Sequence, residues 1–419
     1  MARVPRLTPT VRSEYDLPVV SLLDVDFYKF TMGQFAFRKH RDAVVRYRLI
    51  CRNPGAGLAR VVRLGAFREA LAGTRGLSFR AEELDYLRGV GRFGDDFLGF
   101  LAALRLPEVS VGRRGGDFEV EVEGRWPELI LWETIILSTL SELLTRARLA
   151  EGGGGAAREV EELRWARLEA KIARLRKNPE VRFASFGTRR RFSRAWQLVL
   201  EERLGEALPR QFVGTSCVAS ARQNGLTPIG TVAHEVFMIG AVRAGGSDAA
   251  IRSSQRRMLD AWWEMYGEPL SVFLSDTWGS AFYFADIGAE RGRRFRGLRH
   301  DSGEPAAFGE QVIAWYRGLG VDPREKALVF SDSLGLDRIL ALERQFRGRI
   351  AVSYGWGTNL TNDAGLPTWS LVVKPVEADG HPLVKLSDNA RKSTGHPDEI
   401  ARYRRIFNTA PTESTLPAY

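Results

Sequence analysis

The sequence predicts an α/β fold built as a (β/α) barrel, and three observations predict it. The chain has 419 residues, 44% apolar and 27% charged, enough for two domains or one large barrel with an appended unit. Beyond about residue 180, short apolar or β-branched runs alternate with helical stretches. Each run ends in a polar, glycine- or serine-containing cluster, where a barrel would gather its chemistry. A doubly wound parallel sheet also puts function at strand C-termini, so repeated βα units leave both architectures open.

The elements follow in order. Val44 to Ile50 and Asp117 to Val122 read as strands, the second from alternation of Phe118, Val120 and Val122. Glu82 to Leu87 and Asp95 to Leu104 read as amphipathic helices. Leu129 to Leu144 is the most apolar stretch; it contains Glu133 and Glu142, is too short to span a bilayer, and reads as a buried helix. Gly152 to Gly155 reads as a flexible joint. A charged helix is expected from Arg158 to Arg176, with Val160, Leu163, Leu168, Ile172 and Leu175 on its apolar side and Asn178-Pro179 stopping it. Ser271 to Leu274, Ala327 to Phe330 and Ile350 to Ser353 suit buried parallel strands.

Composition narrows function. Lys and Arg total 61 against 51 Asp and Glu, a formal charge of +10. The excess is scattered, in short runs such as Arg189-Arg190-Arg191, without a basic tail or an aromatic-interleaved RNA-binding motif. A positive cleft for an anionic small substrate fits better than nucleic acid. Cys51 and Cys217 lie far apart and outside any C-x-x-C pattern, so neither a disulfide framework nor a zinc site is implied. The N-terminus lacks the apolar core of a signal peptide, and a cytoplasmic location is expected.

The polar clusters carry the chemistry. Gly355-Trp356-Gly357-Thr358-Asn359 could cradle a phosphate on backbone N–H groups and a hydroxyl, or could be only a tight turn. Neither a P-loop nor a dinucleotide fingerprint is present. Arg299-His300-Asp301-Ser302-Gly303 joins an anion clamp to a carboxylate able to bond ribose hydroxyls or steady charge at an anomeric carbon; a salt-bridged turn is the plainer alternative. His234 follows Gly230-Thr231 at the end of an expected strand, and Asp276 could hold its tautomer. Phe186, before Gly187-Thr188-Arg189, could stack on an aromatic substrate whose anion an Arg holds, or belong to the core. Ser331-Asp332-Ser333 and Gly214-Thr215-Ser216 complete the set.

Taken together these segments resemble the nicotinate phosphoribosyltransferase family from about Ser21 to Ser393. The carrying motifs, in family order, are SLLDVDFYKFTM, ILWETIIL, FGTRRRFS, FVGTS, TPIGTVAHE, LSDT, GLRHDSGEP, LVFSDSL, YGWGTNLTND and VVKPVEADGHPLVKLSD. The resemblance implies an irregular (β/α) barrel over residues 126–367 with an additional open-faced α+β sandwich domain over residues 1–125, joined by residues 368–419. It implies a homodimer with shared active sites, Tyr28 reaching the neighbouring chain's pocket to cover a pyridine ring opposite Phe186. Thr231, Ser216 and Arg299 would face nicotinate. Arg189, Asp301, Ser302, Asp332, Gly355, Gly357 and Thr358 would line the sugar-phosphate region.

His234 matches a histidine phosphorylated by ATP, with Asp276 as its carboxylate partner. The partners implied are nicotinate, 5-phosphoribosyl-1-pyrophosphate and ATP as co-substrate, with Mg²⁺ as cofactor. Nicotinamide-using relatives have Asp where Ser216 stands, so an acid substrate is expected; nicotinamide or quinolinate transfer is the enzymatic alternative, and a basic nucleic-acid-binding barrel the non-enzymatic one. Four departures stand out: Cys217, Glu304 near the expected sugar site, Val236, and Trp278-Gly279-Ser280.

Overall fold

A computed structural model describes residues 17–53 and 55–409. Most of the N-terminal segment read for targeting lies outside that range.

The strands are β1 (Val44–Cys51), β2 (Val109–Arg114), β3 (Asp117–Arg125), β4 (Phe183–Ser185), β5 (Phe212–Thr215), β6 (Val272–Leu274), β7 (Gly297–His300), β8 (Ala327–Phe330), β9 (Ala351–Trp356), β10 (Leu371–Ala378) and β11 (His381–Pro382). They form two sheets, an antiparallel one in the order β11-β10-β1-β3-β2 and a parallel one in the order β5-β4-β9-β8-β7-β6.

The antiparallel sheet buries one face of β1 and β3. Val45, Tyr47 and Leu49 of β1 are buried, as are Val120 and Val122 of β3. Between them Arg46 and Arg48 reach Glu123 and Glu121 across the strand pair on the polar face. β10 completes the sheet by pairing with β1 from Val45↔Ala378 to Cys51↔Leu371, so residues far apart in sequence share one ladder.

Two helices fill the centre. Phe27–Lys39 is buried at every position from Phe27 to Ala36, and Trp132–Glu151 at almost every position to Thr145. A helix apolar all round belongs inside a protein, which explains the expected buried helix at Leu129 to Leu144. The glycine run is not a flexible joint: Gly152 closes that helix, Gly153 turns with φ 70°, and the next helix runs Gly153–Arg176. Leu168, Ile172 and Leu175 are buried as expected, whereas Leu163 is exposed.

The parallel sheet does not close strand to strand, because β5 and β6 are both edges. The expected unit before His234 is not a strand. Residues 227–231 instead span the gap: Thr215 N donates to Thr227 O at 3.1 Å, Ile229 N to Thr215 O at 2.8 Å, and Thr231 Oγ1 to Val272 O at 3.0 Å. Pro228 has no N–H to continue a ladder, which accounts for the irregularity. The sheet curves nonetheless, since residues of all six strands line one cavity of about 850 Å³. Six of the seven polar clusters follow a strand of this sheet, and the seventh follows the bridging segment.

Candidate active site

The clusters converge on one pocket of about 230 Å³ at the C-terminal ends of the parallel strands. Tyr28, Phe186, Arg189, Ser216, His234, Arg299, Asp301, Asp332, Gly357 and Thr358 all line it. Tyr28, expected to serve a neighbouring chain, lies on the wall of its own chain's pocket, its hydroxyl donating to Glu133 at 3.2 Å.

Two glycines seat the aromatic walls. A Cβ at Gly230 would stand 2.9 Å from the Tyr28 backbone nitrogen, and one at Gly355 would stand 2.5 Å from the Phe186 ring. Gly355 is therefore spent on Phe186; it borders the larger cavity, and Gly357, Thr358 and Asn359 form the part of that cluster facing the pocket. Thr231 also borders the larger cavity, its hydroxyl already donated to Val272.

Arg299 stands on the wall common to both spaces, with Phe186, Ile229 and Gly230. Its Nε is buried with no hydrogen-bond partner among the described residues. An orphaned guanidinium donor beside an aromatic wall suits a planar anion. Ser216 Oγ donates to Asp26 Oδ1 at 2.6 Å, so a carboxylate lies where the sequence had suggested none; Arg189 stands 3.4 Å from its other oxygen.

His234 begins the helix His234–Val242. Its Nδ1 is 3.0 Å from Thr277 Oγ1, and its Nε2 is 3.0 Å from Asp301 Oδ2 and 3.6 Å from Asp276 Oδ1. Burial, and then the Lys385 ammonium, pull the imidazole down to about 4, so it is neutral at physiological pH. Burial would raise Asp301, but the bond to His234 and the charge of Lys385 overcome it and hold the carboxyl well below its usual range. Ser302, expected to line the sugar region, is buried and turns away from the pocket, its hydroxyl donating to Asp276 Oδ2 at 2.6 Å. Asp332 reaches the pocket but is paired with Lys392 at 2.6 Å.

Several functional residues escaped the sequence. Arg52 just after β1, Lys374 on β10, and Lys385 and Lys392 beyond it all line the pocket and make it strongly cationic. Burial, then repulsion by Lys385 and Arg52, lowers Lys374 to about 7. Their segment had been assigned to a second domain, and nothing local shows that it returns over the strand ends. Lys29 could have been found: a lysine in the all-apolar stretch FYKFTMGQFAF must be buried and paired. It contacts Glu133 at 2.5 Å and Glu235 at 2.7 Å.

The departures are structural. The Cys217 thiol donates to Asp24 rather than into the pocket, and burial pushes it well above its normal range. Glu304 caps the helix Pro305–Gly318 by accepting from Ala307 N at 2.7 Å. Trp278 stacks on Phe407 with centroids 4.6 Å apart, and Val236 is buried core.

His234, Asp276 and Asp301 are the one group of potential metal ligands among the described residues. The Lys385 ammonium stands within it, 2.9 Å from His234 Nε2 and 3.2 Å from Asp276 Oδ2. A hard cation such as Mg²⁺ needs oxygen ligands and free space, so these residues do not fit it as a resident ion.

The profile of the nicotinate phosphoribosyltransferase family matches residues 181–410, and that of the family's N-terminal domain matches residues 23–141. The chain belongs to the nicotinate phosphoribosyltransferase family. The solved nicotinate phosphoribosyltransferase from Vibrio cholerae is 31% identical over 95% of this chain and 94% of its own, with a TM-score of 0.85. That from Porphyromonas gingivalis is 30% identical over 93% of this chain and 100% of its own, at 0.84. The phosphoribosyltransferase fold thus extends over both sheets. No described helix is long and apolar enough to cross a membrane.

Proposed function

We propose that the chain joins nicotinate to 5-phosphoribosyl-1-pyrophosphate, giving nicotinate mononucleotide and pyrophosphate in NAD salvage, with ATP hydrolysis coupled through phosphorylation of His234. The observation that carries the reading is Arg299, whose unpartnered, buried Nε lies beside Phe186 on the wall both cavities share.

In this reading Tyr28 and Phe186 bracket the pyridine ring while Arg299 takes its carboxylate. Arg52, Lys374 and Lys392 with the backbone of Gly357 and Thr358 receive the phosphates. The C1–O bond to pyrophosphate breaks, the ring nitrogen bonds to C1, and Asp301 steadies the positive charge that develops there. Alignment of nitrogen and carbon by the two rings supplies the proximity term. Mg²⁺ accompanies the polyphosphate, held by phosphate oxygens, and adds charge neutralisation. The neutral imidazole of His234 is a nucleophile for the γ-phosphoryl group of ATP: an N–P bond forms as the P–O bond to ADP breaks. Phosphorylation acts on synthesis only through different substrate affinities of the two enzyme forms. The active form is a homodimer in the cytoplasm.

Asp26 favours one rival, because a carboxylate against Ser216 could accept from a nicotinamide N–H. Nicotinate, nicotinamide and quinolinate are therefore assayed side by side with the activated sugar, Mg²⁺ and ATP. Nicotinate mononucleotide as the dominant product, with acid-labile phosphate on His234, is the expected outcome. A dominant amide product, or no nucleotide but salt-dependent binding to RNA, would overturn the reading.

A further inference from the structure

Lys385 has no part in the transfer steps above, yet it is among the most closely held side chains of the pocket. Its side chain is 2% exposed. Its Nζ lies 2.9 Å from His234 Nε2, 3.2 Å from Asp276 Oδ2 and 3.9 Å from Asp301 Oδ2. The ligand atoms of those three residues lie within 4.8 Å of one another, the arrangement a metal ion would use. Two carboxylates that close repel unless a cation stands between them.

The backbone fixes where that cation stands. Lys385 and Thr394 exchange both N–H···O bonds at 2.9 Å, and Leu386 N donates to Thr277 O at 2.9 Å. Thr277 is also the partner of His234 Nδ1. Thr277 and Lys385, two of the imidazole's three hydrogen-bonding neighbours, are thus tied into one unit. An ammonium has donors and no acceptor. Its 2.9 Å contact with Nε2 calls for a lone pair there, whereas the 3.0 Å contact of the same nitrogen with the Asp301 carboxylate calls for a proton, so ammonium and imidazole compete for one set of carboxylates.

We propose that Lys385 is the resident cation of the His234–Asp276–Asp301 cluster in the substrate-free protein, a positioning residue that keeps bare divalent ions out. A divalent ion entering the cluster would meet the ammonium's charge at a few ångströms, a repulsion that low dielectric amplifies. A cation then gains entry only with an anion that draws Lys385 aside. The purpose of this arrangement, though not its geometry, rests on the reading of His234 as a phosphoryl acceptor.

The test uses Mn²⁺ alone, titrated into the full-length protein without nucleotide or sugar phosphate and followed by the EPR signal of the free ion. The parent is expected to show no Mn²⁺ site dependent on Asp276. Lys385→Met is expected to gain a site at least about tenfold tighter, lost again when Asp276→Asn is added. A parent site abolished by Asp276→Asn, or a folded Lys385→Met protein that gains none, overturns the proposal. Should Lys385→Met not fold, Lys385→Gln, which removes the charge and keeps a hydrogen-bonding side chain, is titrated in its place, and a folded Lys385→Gln protein that gains no Mn²⁺ site overturns the proposal. The titration needs no turnover, so a failed nucleotide assay leaves this inference standing and the converse also holds.

Discussion

Two buried lysines sit in this protein, each between two carboxylates, and they do different work. Lys29 is fully enclosed: Glu133 and Glu235 lie at 2.5 and 2.7 Å, Tyr28 donates to the same Glu133 oxygen, and the spare oxygens of the two carboxylates take bonds from Arg189, Tyr47 and Trp126. Every acceptor there is used. Lys385 stands among partners at 2.9 to 3.9 Å, beside an imidazole rather than a third donor, and Asp301 is a third exposed to the pocket. A charge cluster saturated by its own hydrogen bonds becomes scaffold; one left incomplete and open to solvent can exchange partners. The scaffold cluster also holds the working one, since Glu235 adjoins His234 and Glu133 carries Tyr28 and Arg189.

Five substitutions can break or sharpen this contrast. His234→Ala should remove ATP stimulation entirely while slow ATP-independent synthesis persists; equal loss of both, in assays with and without ATP, would deny it a phosphoryl role. Lys29→Met should cost about 3–5 kcal/mol of stability in urea unfolding, because two buried carboxylates lose their cation, whereas Lys385→Met should cost about 1–2 kcal/mol, water reaching Asp301 in its place. Comparable losses would erase the distinction between the clusters. Arg299→Ala should lower kcat/KM for nicotinate by roughly 10- to 150-fold, the worth of about 1.5–3 kcal/mol for a charged hydrogen bond.

The smallest effect is the pH dependence of Lys374. Its protonated form attracts phosphate and is lost as pH rises through about 7, so KM for the activated sugar should rise above neutrality. Lys374→Gln should flatten that rise when KM is followed from pH 6 to 9. The same lowered value makes the folded state release its proton before the unfolded chain does, so this group adds stability as pH climbs from about 7 towards 10.

The sequence made much of the parallel sheet legible, because each strand there ends in residues too polar and too flexible to continue it. Val272–Leu274 and Ala327–Phe330 fell within one residue of their expected bounds, and Ala351–Trp356 began one residue and ended three residues later than expected. Residues 227–231 misled because TPIGT resembles a strand end, while Pro228 prevents the ladder. β2 went unread, since VSVGRR has one buried side chain and no clear alternation. Within the site, the pocket-facing residues on strand ends were readable as chemistry; a motif shows which residues are near but not the hydrogen bonds they make, such as Thr231 to Val272 and Ser302 to Asp276. Lys374, Lys385 and Lys392 were invisible for a topological reason: Lys374 lies on β10, which returns to pair with β1, and the other two on the segment after β11.

That late arrival has a bearing on synthesis. β1 finds one of its two neighbours only when β10 exists, more than 300 residues later. Until residue 378 has cleared the ribosome, the nascent chain displays a row of unsatisfied amides and carbonyls along β1, a template for wrong pairings. The half-made polypeptide needs shielding over that interval, and ribosome-bound fragments ending before Leu371 should be the species that holdase chaperones retain.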